Sequence, residues 1–159
     1  THAMSVLLRP VTASDLPIIY AQQADSESSK MAAFPSRNRE AFDAHWAKIM
    51  ANEKVILRTI EVDGHVAGHL VSWEMEEGRE VGYWLGMEFW GKGIATEALS
   101  QFLGVVQTRP LVAHVAKHNL GSKRVLEKCG FTVIGEGRYR NWADEEVEEF
   151  VLRLNSDKR

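Results

Sequence analysis

The chain has 159 residues, 45% of them hydrophobic and 26% charged, and its formal net charge is −3. This composition is that of one globular domain and excludes collagen, coiled coils and global disorder. The slight acidic excess disfavours a dedicated nucleic-acid binder, and no stretch is apolar enough for a membrane span. The single cysteine, Cys129, supplies too few thiolates for a structural zinc site, so we expect no metal and a reducing, cytoplasmic location.

The beginning of the chain predicts a strand, a helix and a loop. Residues 1–4 lack the basic and apolar regions of a signal peptide, so we interpret them as an expression scar before a single domain of residues 5–159. Val6–Arg9 is a short apolar run, and the hydroxyl and acidic residues at 12–15 are typical of a helix start. Residues 25–39 are polar and irregular, which predicts a surface loop.

A second helix and a β-hairpin follow. Apolar positions recur at helical spacing over residues 39–51. Residues 55–62 and 65–73 are rich in β-branched side chains and flank Asp63-Gly64, a pair that favours a two-residue hairpin turn.

The second half of the chain alternates strands and helices. From Ile94 the apolar residues step by four, which predicts an amphipathic helix that ends before Pro110. The other predicted elements are a strand at 80–85, a strand at 111–116, a helix from the Asn119 cap to Gly130, and strands at about 131–140 and 146–154. This order predicts an α/β sheet with helices on its faces.

The densest chemical signal is the turn at residues 86–96, between a strand and the strongest helix. Glycines let a backbone approach a ligand closely, and a helix N-terminus presents unpaired N–H groups, so such a turn can bind phosphate oxygens. It can equally be a β–α turn without a ligand. The spacing Gly86-x4-Gly91-Lys92 also matches the start of a nucleotide-binding P-loop. However, Gly93 stands where that motif needs the Ser or Thr that holds magnesium, so we rank this interpretation lower.

Residues 90–99 resemble the acetyl-CoA pyrophosphate loop of the GNAT family of N-acetyltransferases, and most closely the branch of ribosomal-protein N-terminal acetyltransferases. That loop reads Arg/Gln-x-x-Gly-x-Gly/Ala. Gly93 and Ala95 match it, whereas Trp90 replaces the first residue. A second block, Asn119-x-x-Ser122 with the segment that follows it, resembles the cofactor-side helix of the family. The order of elements is similar along the whole chain.

The resemblance implies an α/β fold with one mixed, mostly antiparallel sheet of seven strands and about four helices, splayed between strands 4 and 5. Backbone amides of the loop would bind the pyrophosphate, and the preceding strand, around Tyr83 to Met87, would pair its backbone with pantetheine. An N–H near Leu85 would stabilise the thioester oxyanion. The cofactor-binding residues predicted in this way are Leu85, Met87, Trp90, Gly91, Lys92, Gly93, Ile94, Ala95, Thr96, Asn119 and Ser122.

The resemblance also suggests how protons are handled. Glu80 aligns with a strand glutamate that acts as general base in some members, although a solvated strand-end carboxylate is an equal alternative. Many relatives place a Tyr proton donor where this chain has Leu126. Ser122 is therefore the predicted substitute, unless its hydroxyl only satisfies the helix end. We interpret His114 as a packing or solvent-facing residue, with the acceptor side as the alternative. We interpret the acidic run 144–149 as a solvated turn and strand edge, with attraction of a cationic acceptor as the alternative.

The predicted function is transfer of an acetyl group from acetyl-CoA, used as co-substrate, to a primary amine. Attack would be direct, in a ternary complex, with no metal and no covalent enzyme intermediate. A GNAT-like module that binds CoA without catalysis and, less favoured, a P-loop-like nucleotide binder stay open as alternatives. The amine is not identified, since residues 20–40 and the last hairpin carry no recognised pattern, and a homo-oligomer is neither indicated nor excluded.

Overall fold

One mixed sheet organises residues 5–155, the part of the chain that the computed structural model describes. Its seven strands are β1 (Val6–Arg9), β2 (Ile56–Val62), β3 (His65–Glu74), β4 (Arg79–Leu85), β5 (Leu111–Ala116), β6 (Thr132–Arg140) and β7 (Glu146–Leu154). They lie in the order β1-β2-β3-β4-β5-β7-β6, and only the β4–β5 pair is parallel. The predicted strands and the mostly antiparallel sheet are confirmed, whereas the predicted scar at residues 1–4 lies outside the described residues.

Five α-helices accompany the sheet within residues 5–155. They are α1 (Leu16–Ala24), α2 (Ser26–Ala32), α3 (Arg39–Ala51), α4 (Ile94–Val105) and α5 (Leu120–Lys128). Short 3-10 turns at Ala13–Asp15 and Met87–Phe89 lie before α1 and before the loop that leads into α4. The helices expected after residue 12, over 39–51, from Ile94 and after Asn119 are confirmed.

Helix α2 shows that the expectation of a loop over residues 25–39 was wrong, and with it the described residues form five α-helices where about four were expected. The Asp25 carboxylate accepts hydrogen bonds from the backbone N–H of Ser28 at 3.0 Å and from its hydroxyl at 2.8 Å, which caps this helix. Polar residues dominate its first two turns, so no apolar period reveals it in the sequence. The expected loop is therefore restricted to the segment between α2 and α3.

Two apolar clusters lie on opposite faces of the sheet. Leu70 contributes to the cluster that contains α4, and its neighbour Val71 packs against the cluster of α1 and α3, as alternation along a strand requires. Helix α4 buries four apolar side chains, among them Phe102, which is 0% exposed. The sheet thus has helices on both faces, with α4 and α1 anchored on opposite sides.

The parallel strands β4 and β5 diverge soon after they begin. Only Arg79 with Leu111 and Glu80 with Val112 are in register, although β4 continues to Leu85. The predicted splay between strands 4 and 5 is confirmed. It leaves the facing edges of the two strands without ladder partners over most of β4, and this opening lies in the middle of the sheet.

A buried ion pair ties β1 to the start of α1. Asp15 is 3% exposed and accepts from two guanidinium nitrogens of Arg9, at 2.8 and 2.9 Å. It also accepts from the Thr12 N–H and the Thr59 hydroxyl, each at 2.9 Å. The Arg9 guanidinium holds the pKa of Asp15 far below its usual range. Loss of either partner would leave a charge in a largely buried place, so this pair helps to fix the entry into α1.

Candidate functional site

The loop before α4 is shaped to expose backbone amides. Gly91 and Gly93 have φ values of 73° and 80°, in the left-handed region, and a Cβ added at either would meet nothing within 4 Å. The N–H groups of the first turn of α4 have no partners inside the helix, and the helix dipole makes this end electropositive. The N-cap residue of α4 is Gly93, which has no side chain that could accept hydrogen bonds from these amides. The amides therefore remain available to an anion.

Trp90 anchors this loop to the end of β4. Its indole Nε1 donates to the Leu85 carbonyl at 2.9 Å. The Gly86 N–H donates to the Ala67 carbonyl on β3 at 2.8 Å. Because successive amides of a strand point to opposite sides, the N–H of Leu85 points away from β3, towards the opening between β4 and β5. A backbone donor therefore faces the splay where the sequence predicts one.

A cavity of about 560 Å³ lies beside the loop. It lies between the end of β4, the N-termini of α4 and α5, and helix α2, whose Lys30 carbonyl is within hydrogen-bond distance of His118 Nε2 at 2.9 Å. The predicted cofactor residues that line it are Leu85, Trp90, Gly91, Gly93, Ile94, Ala95, Thr96, Asn119 and Ser122. Two predicted residues, Met87 and Lys92, are not among the residues that line it.

The start of α5 forms the opposite wall of this cavity. The Asn119 Oδ1 accepts from the Ser122 N–H at 3.2 Å, so Asn119 caps the helix as its sequence position suggests. Ser122 lines the cavity one turn into the helix. Leu126, which stands where many relatives have a tyrosine, is 3% exposed and belongs to the core.

A second cavity of about 140 Å³ occupies the opening between β4 and β5. Four residues line both cavities, so these residues form the junction between the two spaces: Ala32, Tyr83, Asn119 and Ser122. An elongated ligand in the larger cavity can therefore present one end to a second molecule in the smaller one.

A cluster of two carboxylates and one imidazole lies beside the second cavity. His114 Nδ1 is 3.9 Å from Glu80 Oε2 and 3.5 Å from Glu149 Oε2. His114 and Glu149 line the cavity, and the carboxylates of Glu80 and Glu149 are only 16% and 12% exposed. Burial raises the pKa of Glu80, His114 opposes this shift, and the charge of Glu149 adds to it. A raised pKa makes the Glu80 carboxylate a stronger base than an ordinary glutamate, as a proton acceptor requires.

Three residues of this site were not among the predicted site residues. For Glu149 a solvated acidic run was favoured over attraction of a cationic acceptor, and for His114 packing or solvent was favoured over the acceptor side. Tyr83 was expected to contribute only its backbone, to pantetheine. Their positions follow from strand pairing: Ala116 opposes Glu149 and His114 opposes Val151, so His114 and Glu149 share one face. Burial raises the pKa of Tyr83, and the neighbouring Ser122 partly offsets this shift.

The described residues contain neither a cluster of metal-ligating side chains nor an activated thiol. No group of three or more His, Cys, Asp or Glu side chains within residues 5–155 could hold a metal ion. Cys129 is half-buried, and burial raises the pKa of its thiol, which disfavours the reactive thiolate. None of the described helices is both long enough and apolar enough to cross a bilayer.

The fold occurs in solved acetyltransferases. Spermidine N-acetyltransferase from Vibrio cholerae, in complex with CoA and spermine, superposes with a TM-score of 0.82 at 17% identity over 95% of each chain. Ribosomal-protein-alanine N-acetyltransferase from Brucella melitensis gives 0.80 at 17% identity, over 94% of this chain and 99% of that one. N-acetyltransferase from Staphylococcus aureus Mu50 gives 0.78 at 18% identity, over 95% of this chain and 98% of that one.

These identities are low, so the solved structures establish a shared fold and not a shared substrate. No curated protein matches the sequence at a significant level. The sequence profile of the acetyltransferase (GNAT) domain, in contrast, matches residues 5–132, which is most of the chain. That span contains the glycine loop and the Asn119–Ser122 turn. The chain therefore belongs to the GNAT family of acetyltransferases.

Proposed function

We propose that this protein transfers the acetyl group of acetyl-CoA to a primary amine, by direct attack of the amine within a ternary complex. The observation that carries the proposal is the junction of two cavities at the splay of β4 and β5, one beside an anion-binding helix N-terminus and one beside buried carboxylates. The shape provides one space for a long phosphorylated thioester and another for an amine.

The larger cavity suits acetyl-CoA. Open space at Gly91 and Gly93 allows a pyrophosphate to approach the amides of residues 91–96, which would hold it with the Thr96 hydroxyl or Lys92 as additional donors. Pantetheine would run along the end of β4. The outward N–H of Leu85 would then donate to the thioester carbonyl as negative charge develops on its oxygen.

The smaller cavity suits an amine that arrives as an ammonium ion. Two largely buried carboxylates flank one imidazole there, so an ammonium ion that enters can pair with carboxylate oxygens. Attack requires a neutral amine, whereas a primary ammonium has a pKa near 10. Glu80, with Glu149 and His114 beside it, would accept the proton and pass it to solvent.

The branch of the family and the location of the protein are also proposals. Trp90 in the first loop position and Ser122 in α5 favour the branch of ribosomal-protein N-terminal acetyltransferases. We place the protein in the cytoplasm, where a lone thiol stays reduced. The acceptor would be a small molecule or a protein N-terminus. One observation favours a rival: the buried Leu126 removes the family's usual proton donor, as in a module that only binds CoA.

An acceptor panel separates these functions. Acetyl-CoA is incubated with the protein and peptide N-termini, polyamines or aminoglycosides, while free CoA thiol and the mass of each product are measured. We expect one amine class to be acetylated at a rate far above the spontaneous reaction. Binding of acetyl-CoA without acetylation of any amine would favour the non-catalytic module. A rise in melting temperature with ATP and magnesium, but not with acetyl-CoA, would favour the nucleotide binder.

A further inference from the structure

We propose, on the basis of the proposed function, that Tyr83 of β4 is the proton donor to the departing CoA thiolate and that Ser122 of α5 orients its phenol. The donor thus comes from the strand wall of the site. The position in α5 that carries a tyrosine in many relatives is Leu126, a buried core residue without a proton to give.

The geometry limits the choice of donor. The sulfur of the thioester has to lie where the acetyl group can meet the amine, which is the junction of the two cavities. Of the four residues that line both cavities, Ala32 has no transferable proton and Asn119 is a neutral amide. Tyr83 and Ser122 are the two remaining hydroxyl groups at that junction.

The position of Tyr83 along β4 agrees with this role. Tyr83 lies two residues before Leu85, so the N–H of both residues points to the same side of the strand, towards the splay. The two side chains also stand on the same face of β4, and Tyr83 lines both cavities while Leu85 lines the larger one, so the phenol and the oxyanion donor border the same space. A single thioester can then contact a backbone donor with its carbonyl oxygen and the phenol with its sulfur.

Acidity favours the phenol over the serine hydroxyl. A phenol has an ordinary pKa of about 10, close to that of a thiol at about 8.5, whereas an aliphatic hydroxyl is a far weaker acid. Burial raises the pKa of Tyr83, the nearby Ser122 partly offsets this, and Cys129 adds to the rise. The phenol is therefore protonated at neutral pH and ready to donate, and the Ser122 side chain is placed to stabilise the phenolate that forms.

The step balances without a further reagent. The amine nitrogen forms the C–N bond, the C–S bond breaks, and its electron pair remains on sulfur. The phenol proton of Tyr83 moves to that sulfur, which yields CoA thiol. The proton lost by the amine goes to the Glu80 cluster and then to solvent, and the phenolate regains a proton from water by way of the Ser122 hydroxyl. The net products are an amide and CoA thiol.

Tyr83→Phe tests the assignment, with Tyr20→Phe as the matched control. Tyr20 lies in α1 against Phe42, and it lines neither of the two cavities. We expect Tyr83→Phe to lower kcat roughly 10²-fold or more, with acetyl-CoA affinity within about twofold of wild type, because a general acid contributes in that range. Tyr20→Phe should keep the wild-type kcat. Ser122→Ala should lose less than Tyr83→Phe.

A pH profile separates catalysis from packing. The wild type should lose activity at alkaline pH as the phenol ionises, and this limb should be absent in Tyr83→Phe. Incorporation of 3-fluorotyrosine at position 83 keeps the shape of the side chain while it lowers the phenol pKa, so the alkaline limb should move to lower pH. This variant also serves if Tyr83→Phe does not fold.

Failure of this assignment differs from failure of the proposed function. Absence of turnover by the wild type with every amine would overturn both. An active wild type whose kcat and alkaline limb are unchanged in Tyr83→Phe would overturn the Tyr83 assignment alone. The same conclusion follows if Ser122→Ala abolishes turnover while Tyr83→Phe retains it, or if the fluorinated variant keeps the wild-type profile.

Discussion

Replacement of Gly93 by alanine separates the structural cost of the loop from its role in cofactor binding. Gly93 has φ 80° and ψ 3°, and a Cβ there would meet nothing within 4 Å. The alanine therefore destabilises the folded state only because an L-residue adopts the left-handed conformation there, at a cost of about 1–2 kcal/mol. The stiffer unfolded chain offsets about 0.4–1 kcal/mol of this, so the net loss of unfolding free energy is about 1 kcal/mol. For a chain of this length that lowers the melting temperature by about 2–4 °C.

The effect on acetyl-CoA should be much larger than the effect on folding. The new methyl group would project into the space that a pyrophosphate needs, so we expect at least a tenfold loss of affinity, or about 1.4 kcal/mol. Calorimetric titration with CoA and denaturant unfolding measure the two quantities on the same samples. Gly104→Ala, near the end of α4 and away from both cavities, should instead gain up to about 1 kcal/mol of stability and bind CoA normally. Wild-type CoA affinity in Gly93→Ala would refute the pyrophosphate assignment.

Three further predictions concern charge. Glu80→Gln should lower kcat/KM roughly 10²-fold near neutral pH and recover at alkaline pH, where free amine is abundant; an unchanged pH–rate profile would remove Glu80 from the base role. Glu149→Gln should raise the KM for the amine about tenfold, because a charge-assisted hydrogen bond is lost. Glu148 faces Lys117 instead, so Glu148→Gln should leave this KM unchanged, and equal effects of the two substitutions would argue against recognition by Glu149. Asp15→Asn should cost about 2–4 kcal/mol of unfolding free energy, whereas the exposed Asp43→Asn should cost under about 0.5 kcal/mol, as measured by denaturant titration. Because the folded-state pKa of Asp15 is depressed, its stabilisation is present above about pH 4 and is lost as the pH falls, and a wild-type stability that is flat in acid would contradict this.

The local parts of the fold could be predicted from sequence because their signals are short-ranged. The period of four from Ile94 and the glycines before it define α4 and its loop, and Asn119 and Gly130 mark the ends of α5. Helix α2 could not be predicted in this way, since its stability depends on the Asp25 cap and on packing against other elements. Capping by one side chain is a weak signal when apolar periodicity is missing.

The assembly of the site depends on long-range register, which residue patterns do not specify. Glu149 belongs to an acidic run in which alternate residues face opposite sides, and only the pairing of Ala116 with Glu149 shows which of them faces the splay. The place of Tyr83 between the two cavities likewise depends on how β4, α2 and α5 come together, which no local pattern specifies. The cofactor loop, by contrast, is contiguous in sequence, so its residues could be named from the resemblance.

A crystal structure with bound CoA tests the central claim most directly. The account predicts the pyrophosphate on the amides of residues 91–96, and the sulfur at the junction lined by Tyr83 and Ser122, with the smaller cavity left open to the amine. CoA bound away from the N-terminus of α4, or a sulfur far from that junction, would contradict it.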